Sequence, residues 1–215
     1  MGKLIVFEGI DGSGKSTQFK RLCGEFESRG IQFRSIVFPR YDKESSALIR
    51  MYLGGEFGSR PEDVGPYAAS AFYAVDRYAS YRQDWGDFYE SGGLIITDRY
   101  TTSNAVHQSV KLPPEERPAF LEWLCDLEYI KFGLPKPDMV FFCDVDADIS
   151  VNQIKKRGLD TDIHEKDVRY LEKCAECART AAEQLGWIRI NCAPDGVMRA
   201  QEDIAREILG KALVD

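Results

Sequence analysis

The chain lacks any apolar run long enough to cross a bilayer. Its first hydrophobic stretch, residues 4–7, ends far short of the roughly 20 residues a spanning helix needs, and no secretory leader pattern surrounds it. An excess of positive charge is missing too: the net charge of −7 argues against a nucleic-acid-binding surface. There are no internal repeats, low-complexity tracts or interdomain linkers, which leaves residues 1–215 to be read as one domain. Six cysteines are present, yet only Cys174 and Cys177 stand at metal-ligand spacing, and no second pair accompanies them. Reduced thiols, in the core or at the surface, are therefore expected rather than zinc or a disulfide framework. These absences point to a cytosolic protein without a membrane or nucleic-acid partner. With 44% hydrophobic and 29% charged residues, the chain has the material for one sizeable core and does not have the composition of a disordered one.

What the chain does have starts directly after residues 4–7. Gly9, Ile10, Asp11, Gly12, Ser13, Gly14, Lys15, Ser16 and Thr17 read GxxxxGK[ST], preceded by a strand pattern and followed by a helical one. Glycines at these positions let the backbone turn its N–H groups inward around a phosphate chain, and the helix that follows aims its positive end at the same point. Lys15 adds a mobile charge for the outer phosphates. The Ser16 hydroxyl is suited to the Mg2+ that accompanies a nucleoside triphosphate. The spacing predicts a helix through Phe19, Leu22, Cys23 and Phe26 that stops at Gly30, then a strand over 31–38, giving the opening of a βαβ nucleotide fold.

Further along, several clusters admit two readings each. Phe38, Pro39, Arg40 and Tyr41 close the second strand where open α/β sheets place ligands, or they form a surface turn. A long helical pattern over 61–85 puts Ala68, Ala71, Phe72, Val75 and Ala79 on the expected core face. Tyr73 and Arg77, four residues apart, share another side. That pair could clamp a planar base, by stacking and by a guanidinium fork on its carbonyl edge, or could simply pack together. The buried strand 94–97 delivers Asp98 and Arg99, an acid suited to ordering magnesium and a fork able to bridge two phosphates, or else a structural ion pair. Asn104 offers a donor and an acceptor to a base edge, or lies among the caps of the next helix. Asp144, Asp146 and Asp148 follow a fourth strand over 139–144 as a metal candidate or as a loop entering a helix. Lys155, Lys156 and Arg157 lead into a polar segment that has the makings of a lid, or of a solvated charged face. A fifth strand over 187–191 and a helix over 197–213 complete the pattern.

Taken together, these segments resemble the thymidylate kinases (dTMP kinases) along nearly the whole chain. The resemblance rests on GIDGSGKST at 9–17, FPRY at 38–41, Tyr73 with Arg77, DRYTTSNA at 98–105, GLPKPDMVFF at 133–142 and a lid closing near DIHE at 162–165. It implies a three-layer α/β/α P-loop NTPase fold with a five-stranded parallel sheet and a small mobile lid spanning residues 155–166. It also implies transfer of the ATP γ-phosphoryl group to dTMP, with Mg2+, in a homodimer. By resemblance, Lys15, Ser16 and the loop backbone serve ATP, while Asp11 helps organise the acceptor or its magnesium. Tyr73 stacks on thymine, Arg77 reaches its exocyclic carbonyl and Asn104 reads its imide edge. Phe38, Arg40, Tyr41 and Arg99 surround the monophosphate, with Asp98 supporting the metal.

The chain departs from the family pattern in three places. Tyr73 stands where phenylalanine is commoner, and His107 stands where many relatives carry a tyrosine that crowds out a ribose hydroxyl. Gly12 occupies the loop position that holds a catalytic arginine in some members, which points to the lid cations, Arg157 first and Lys156 second. Other nucleoside monophosphate or deoxynucleoside kinases would share the fold. A catalytically silent nucleotide-binding module would keep the loop without the acid, the arginine and the lid cations that follow. A GTPase is disfavoured because no NKxD guanine-reading motif is found.

Overall fold

The computed structural model describes residues 1–157 and 168–213, the side chains of Pro61, Lys156, Arg157 and Val168 excepted. Five segments form the strands β1 (Lys3–Glu8), β2 (Phe33–Val37), β3 (Leu94–Asp98), β4 (Met139–Asp144) and β5 (Ile188–Asn191). All neighbouring pairs are parallel, in the order β2-β3-β1-β4-β5. Parallel strands need crossovers, and helices supply them. The helices are α1 (Lys15–Ser28), α2 (Ala47–Leu53), α3 (Pro66–Ser80), α4 (Gly86–Glu90), α5 (Thr101–His107), α6 (Arg117–Cys125), α7 (Ala147–Arg157), α8 (Val168–Leu185) and α9 (Gln201–Ala212).

The central strands are apolar throughout because both of their faces are covered. Ile5 and Phe7 of β1 pack with Phe19, Leu22 and Phe26 of α1, Ala178 of α8 and Ile204 of α9. Leu4 and Val6 face the other way, onto Tyr81, Trp85, Tyr89 and Tyr100. This alternation makes the helix–sheet–helix layers. The registers Phe7↔Asp98 and Glu8↔Phe142 bring the carboxyl ends of β1, β3 and β4 to one edge. From β1 the chain crosses to β2 on one side and later reaches β4 and β5 on the other, so the topological switch lies beside β1, where such sheets bind ligands.

The long helical pattern after residue 61 is broken in the structure. A 3-10 turn (Pro61–Asp63) precedes α3, and a π-helical turn (Tyr81–Trp85) joins α3 to α4. The expected core face of α3 is also reversed. Ala69, Ser70, Ala74, Asp76, Arg77 and Ser80 are buried, whereas Ala68 and Val75 are exposed and Phe72 is only half-buried against Phe57. The polar stripe turns inward because it faces a ligand cavity and a buried carboxylate rather than hydrocarbon. The C-terminal helix starts at Gln201 rather than 197, after a turn over Pro194–Gly196. Most of the expected lid, including the stretch closing at 162–165, lies outside the described residues.

Candidate active site

The loop after β1 is shaped by what cannot fit beside it. Gly9 and Gly12 have φ of +154° and +80°, and a Cβ at Gly12 would stand 2.5 Å from the Ser150 carbonyl oxygen. Helix α7 is thus packed onto the loop, and the Ser150 hydroxyl donates to the Asp11 carbonyl. A side chain as long as arginine has no place at residue 12. Among the described residues, the backbone amides of Gly12, Gly14, Lys15 and Ser16 donate to nothing, while those of Thr17 and Gln18 both bond Gly14 O at 3.0 and 3.1 Å. This leaves a nest of free N–H groups at the positive end of α1. Lys15, 5% exposed, bonds Asp11 Oδ1 at 3.2 Å and Ile10 O at 3.4 Å.

Asp11 joins this loop to β3, because Arg99 Nη2 donates to the same Oδ1 that Lys15 holds. Burial works to raise the Asp11 carboxyl, but the charges of Lys15 and Arg99 hold it well below the usual carboxylate range. Arg99 is equally constrained. It has φ +69°, rare for a side chain of its size, and its N–H is fixed on Phe7 O at 3.1 Å. Its Nη1 lies 3.3 Å from Ser103 Oγ, 3.2 Å from His107 Nε2 and 3.9 Å from Glu8 Oε1. Burial opposes the guanidinium charge, and Asp11, Glu8 and Asp98 outweigh it. Since guanidinium only donates, His107 Nε2 must accept. The imidazole proton then sits on Nδ1, facing Tyr170 Oη at 3.4 Å.

Beside the loop opens a cavity of about 320 Å³. Its wall holds Asp11, Phe38, Tyr41, Tyr73, Arg77, Arg99, Asn104 and His107, which are the expected acceptor-site residues with the exception of Arg40. Arg40 instead lies against Asp76, with its N–H bonded to Oδ2 at 2.9 Å and its Nε 3.7 Å from Oδ1. Arg77 is 2% exposed and fully committed on one edge: Nε and Nη2 donate to the two oxygens of Glu128 at 2.6 and 2.5 Å. Burial opposes its charge and Glu128 restores it. Only Nη1, 3.4 Å from Tyr100 O, has N–H capacity pointing elsewhere. Asn104 Nδ2 lies 3.2 Å from Ser70 O, an acceptor, which fixes the amide orientation and leaves Oδ1 as the end for a ligand. Sequence reasoning had offered both ends of that amide. Gln108, buried in the same wall, has an unpartnered Oε1.

Asp98, 6% exposed at the end of β3, also has an unpartnered oxygen, Oδ1. A buried carboxylate oxygen without a donor, beside a phosphate loop, fits a hard cation bound chiefly through phosphate and water. Among the described residues no cluster of three or more His, Cys, Asp or Glu side chains gathers to hold a metal by itself. Asp144 and Asp146, candidates for one, are instead taken by arginines: Arg179 bonds both, at 3.0 and 2.5 Å, and Arg189 bonds Asp144 at 2.6 Å.

Three acids that sequence reasoning gave no role are central. Glu8, fully buried, accepts from Gly9 N at 2.9 Å, Thr102 Oγ1 at 2.6 Å and Ser103 Oγ at 2.7 Å. Glu128 stands in a π-helical turn (Asp126–Lys131) and accepts from Thr101 as well as Arg77. Asp76 collects Arg40 and Ser45. Glu8 had a local signal, an acid ending an apolar strand just before the glycine loop; Glu128 and Asp76 had none. The GLPKPD stretch turns out to be scaffolding: Asp138 exchanges hydrogen bonds with the Leu4 backbone at 2.7 and 2.9 Å, and Pro135 O accepts from Tyr100 Oη at 3.2 Å. Cys174 and Cys177 lie buried on α8, Cys174 Sγ 3.7 Å from His107 Nδ1.

A parallel sheet, a glycine loop opening α1 and a cavity walled in part by that loop's Asp11 and by Arg99 define a P-loop phosphotransferase. A family model described as Thymidylate kinase matches residues 7–204. A thymidylate kinase of Mycobacterium tuberculosis is 30% identical over 190 residues, covering 86% of this chain and 87% of that protein. One from Caenorhabditis elegans is 29% identical, covering 96% and 93%. The solved structure of the Candida albicans thymidylate kinase superposes with a TM-score of 0.73 at 21% identity, over 98% of this chain and 90% of that one. The chain belongs to the thymidylate kinase family.

Proposed function

We propose that this protein transfers the γ-phosphoryl group of ATP to dTMP, giving ADP and dTDP. One observation carries the reading. The cavity beside the phosphate loop is lined by an arginine with one N–H group left over from its carboxylate (Arg77 Nη1), by the amides of Asn104 and Gln108, and by an arginine held on the loop's Asp11 (Arg99), a set that suits a pyrimidine imide joined to a phosphate. ATP lies along residues 9–17. In dTMP, thymine stacks on Tyr73, Arg77 Nη1 reaches a base carbonyl and Asn104 Oδ1 accepts from N3–H. The phosphate meets Arg99 between Phe38 and Tyr41, with Arg40 fixing that turn through Asp76 and His107 under the sugar.

The nucleophile is an ionised phosphate oxygen, so catalysis is placement and charge neutralisation. Lys15 and Arg99 both rest on Asp11. As phosphates arrive on either side, each cation exchanges part of that contact for a phosphate, and Asp11 remains between them as the common anchor. Glu8 keeps the loop and Arg99 in fixed relation throughout. Ser16 and Asp98 would hold Mg2+, which would supply further neutralisation of the phosphate charge. Arg157, or Lys156 next to it, completes the charge complement from the lid at residues 155–166; neither side chain is among the described ones.

Three coarser assignments belong to the same reading. Residues 1–215 act as one domain. A homodimer is supported by the outward apolar stripe of α2 and α3, where Leu48, Tyr67, Val75 and Tyr78 are each over 40% exposed. Cytoplasmic residence is the site for this activity, and no described helix is long and apolar enough to cross a membrane. The test is ADP formation from Mg-ATP with dTMP, dUMP, UMP, CMP, AMP and thymidine offered separately. Turnover led by dTMP is expected. Preference for thymidine would remove the phosphate role of Arg99, and no turnover with any acceptor would leave a silent nucleotide-binding module.

A further inference from the structure

Lys111 ends the short turn after α5 (Ser109–Lys111), behind the cavity wall. Its Nζ donates to Tyr52 Oη at 2.9 Å and to Val64 O at 3.0 Å. An ammonium has donors and no acceptor, so the phenol oxygen must be the accepting partner and keeps its own proton. Among the described residues that proton has no acceptor. Tyr52 is 7% exposed, lines the cavity and packs beside Tyr73 at its base end. Its O–H is therefore a donor left unused among the described residues, on a side chain that lines the cavity.

The imide edge of thymine presents carbonyl, N–H and carbonyl, and a complete complement is donor, acceptor, donor. Arg77 Nη1 provides one donor, and Asn104 or Gln108 the acceptor. The second donor is missing from that set. We propose that Tyr52 supplies it, to a carbonyl oxygen of the pyrimidine, and that Lys111 is its positioning residue, occupying the phenol lone pair so that the proton faces the substrate. This rests on the assignment of the cavity to dTMP and extends it to base discrimination. Cytosine would bring an amino group where one carbonyl should be, and that amino group would confront a donor. A site built to hydrogen-bond one group rejects the analogue that cannot return the bond.

The arrangement has a pH signature. Burial pulls the Lys111 ammonium down to about 8, with Glu62 working against it. The groups facing Lys111 are Glu62, from the turn before α3, and Tyr52, from α2, whose phenol burial pushes up to about 12. Below about pH 8 Lys111 only donates. Above it the neutral amine gains a lone pair, can accept a hydrogen bond from the phenol, and turns the Tyr52 O–H away from substrate while Tyr52 itself stays protonated.

Steady-state kinetics of the full chain between about pH 7 and about 9.5 test this. Wild type should show a dTMP KM that rises above pH ~8. Tyr52→Phe should raise the dTMP KM about five- to tenfold, leave kcat and the ATP KM in place, and abolish the alkaline rise. Lys111→Met should raise the KM about twofold and also remove the pH limb. A thiocarbonyl accepts hydrogen bonds poorly. Of 2-thio-dTMP and 4-thio-dTMP, one should therefore lose its penalty relative to dTMP in Tyr52→Phe. A Tyr52→Phe enzyme with unchanged dTMP KM, or with both thio penalties intact, overturns the proposal. Arg77→Ala, measured alongside, separates the failures: if it raises the dTMP KM while Tyr52→Phe does not, only the role of Tyr52 falls. If neither does, the cavity is not the acceptor site.

Discussion

Replacing Glu128 with glutamine isolates the contact on which the proposed base pocket depends. Arg77 and Glu128 are 2% and 0% exposed, joined by two charge-assisted hydrogen bonds of 2.5 and 2.6 Å, and Thr101 adds a third to the carboxylate. Glutamine preserves the shape but leaves a buried guanidinium without a counter-charge. Breaking such a pair from one side costs about 3–5 kcal/mol. For a chain of this size each kcal/mol moves the midpoint by about 2–4 °C, so Glu128→Gln should melt roughly 6–20 °C below wild type. The same change frees Arg77 to rotate, and the dTMP KM should rise more than tenfold with the ATP KM nearly constant. The double variant Glu128→Leu with Arg77→Met removes both charges. It should recover most of the lost midpoint, since replacing a buried pair by apolar groups is often neutral, yet it should keep the poor dTMP affinity. Scanning calorimetry and dTMP titration read the two effects separately. A Glu128→Gln protein that melts with wild type would refute the claim that this carboxylate carries Arg77. A double variant with restored dTMP affinity would refute the role of Arg77 itself.

Other outcomes follow from the same geometry. The Asp11 carboxyl is held below its unfolded value of about 3.9, so its contribution to stability is full above that pH and fades as pH falls toward the folded value. The midpoint gap between wild type and Asp11→Asn should accordingly narrow below about pH 4, and a gap that widens there would contradict the ion-pair assignment. Gly12→Ala forces a left-handed backbone, costing about 1–2 kcal/mol, and drives a methyl toward the Ser150 carbonyl. ATP affinity and turnover should fall together in Gly12→Ala, and normal nucleotide binding would show that α7 yields easily. Asp98→Asn should raise the magnesium concentration needed for half-maximal turnover several-fold while leaving dTMP binding without metal unaltered, as measured by titration calorimetry.

Much of this site is legible in the sequence because its determinants are local. The glycine loop is written in nine consecutive residues, 9–17, and Asp98 and Arg99 announce themselves at the end of an apolar strand. Tyr73 and Arg77 share a helix side by spacing alone. What stays hidden is pairing at distance: Arg77 meets Glu128 across 51 positions, Arg40 meets Asp76 across 36, and Thr102 meets Glu8 across 94. No periodicity encodes those partners. Helix α3 shows the limit in another form. Its sequence displays two stripes, and apolar character suggests that Ala68, Phe72 and Val75 should be inside. The fold buries the polar stripe instead, because Arg77 and Asp76 have carboxylate and guanidinium partners waiting there and the cavity beside the phosphate loop lies in front. The apolar stripe is left outward.

The central claim is that thymine and the phosphate loop are served by adjoining sites that share Asp11 and Arg99. The most direct measurement is a crystal structure with adenosine and thymidine linked through a chain of five phosphates. The account places thymine against Tyr73 with Arg77 Nη1 and Asn104 Oδ1 within hydrogen-bond distance, the phosphate chain crossing Arg99 to the amides of residues 12–16, and adenosine beyond the loop. Adenosine in the Tyr73 cavity, or a phosphate chain that bypasses Arg99, would contradict it.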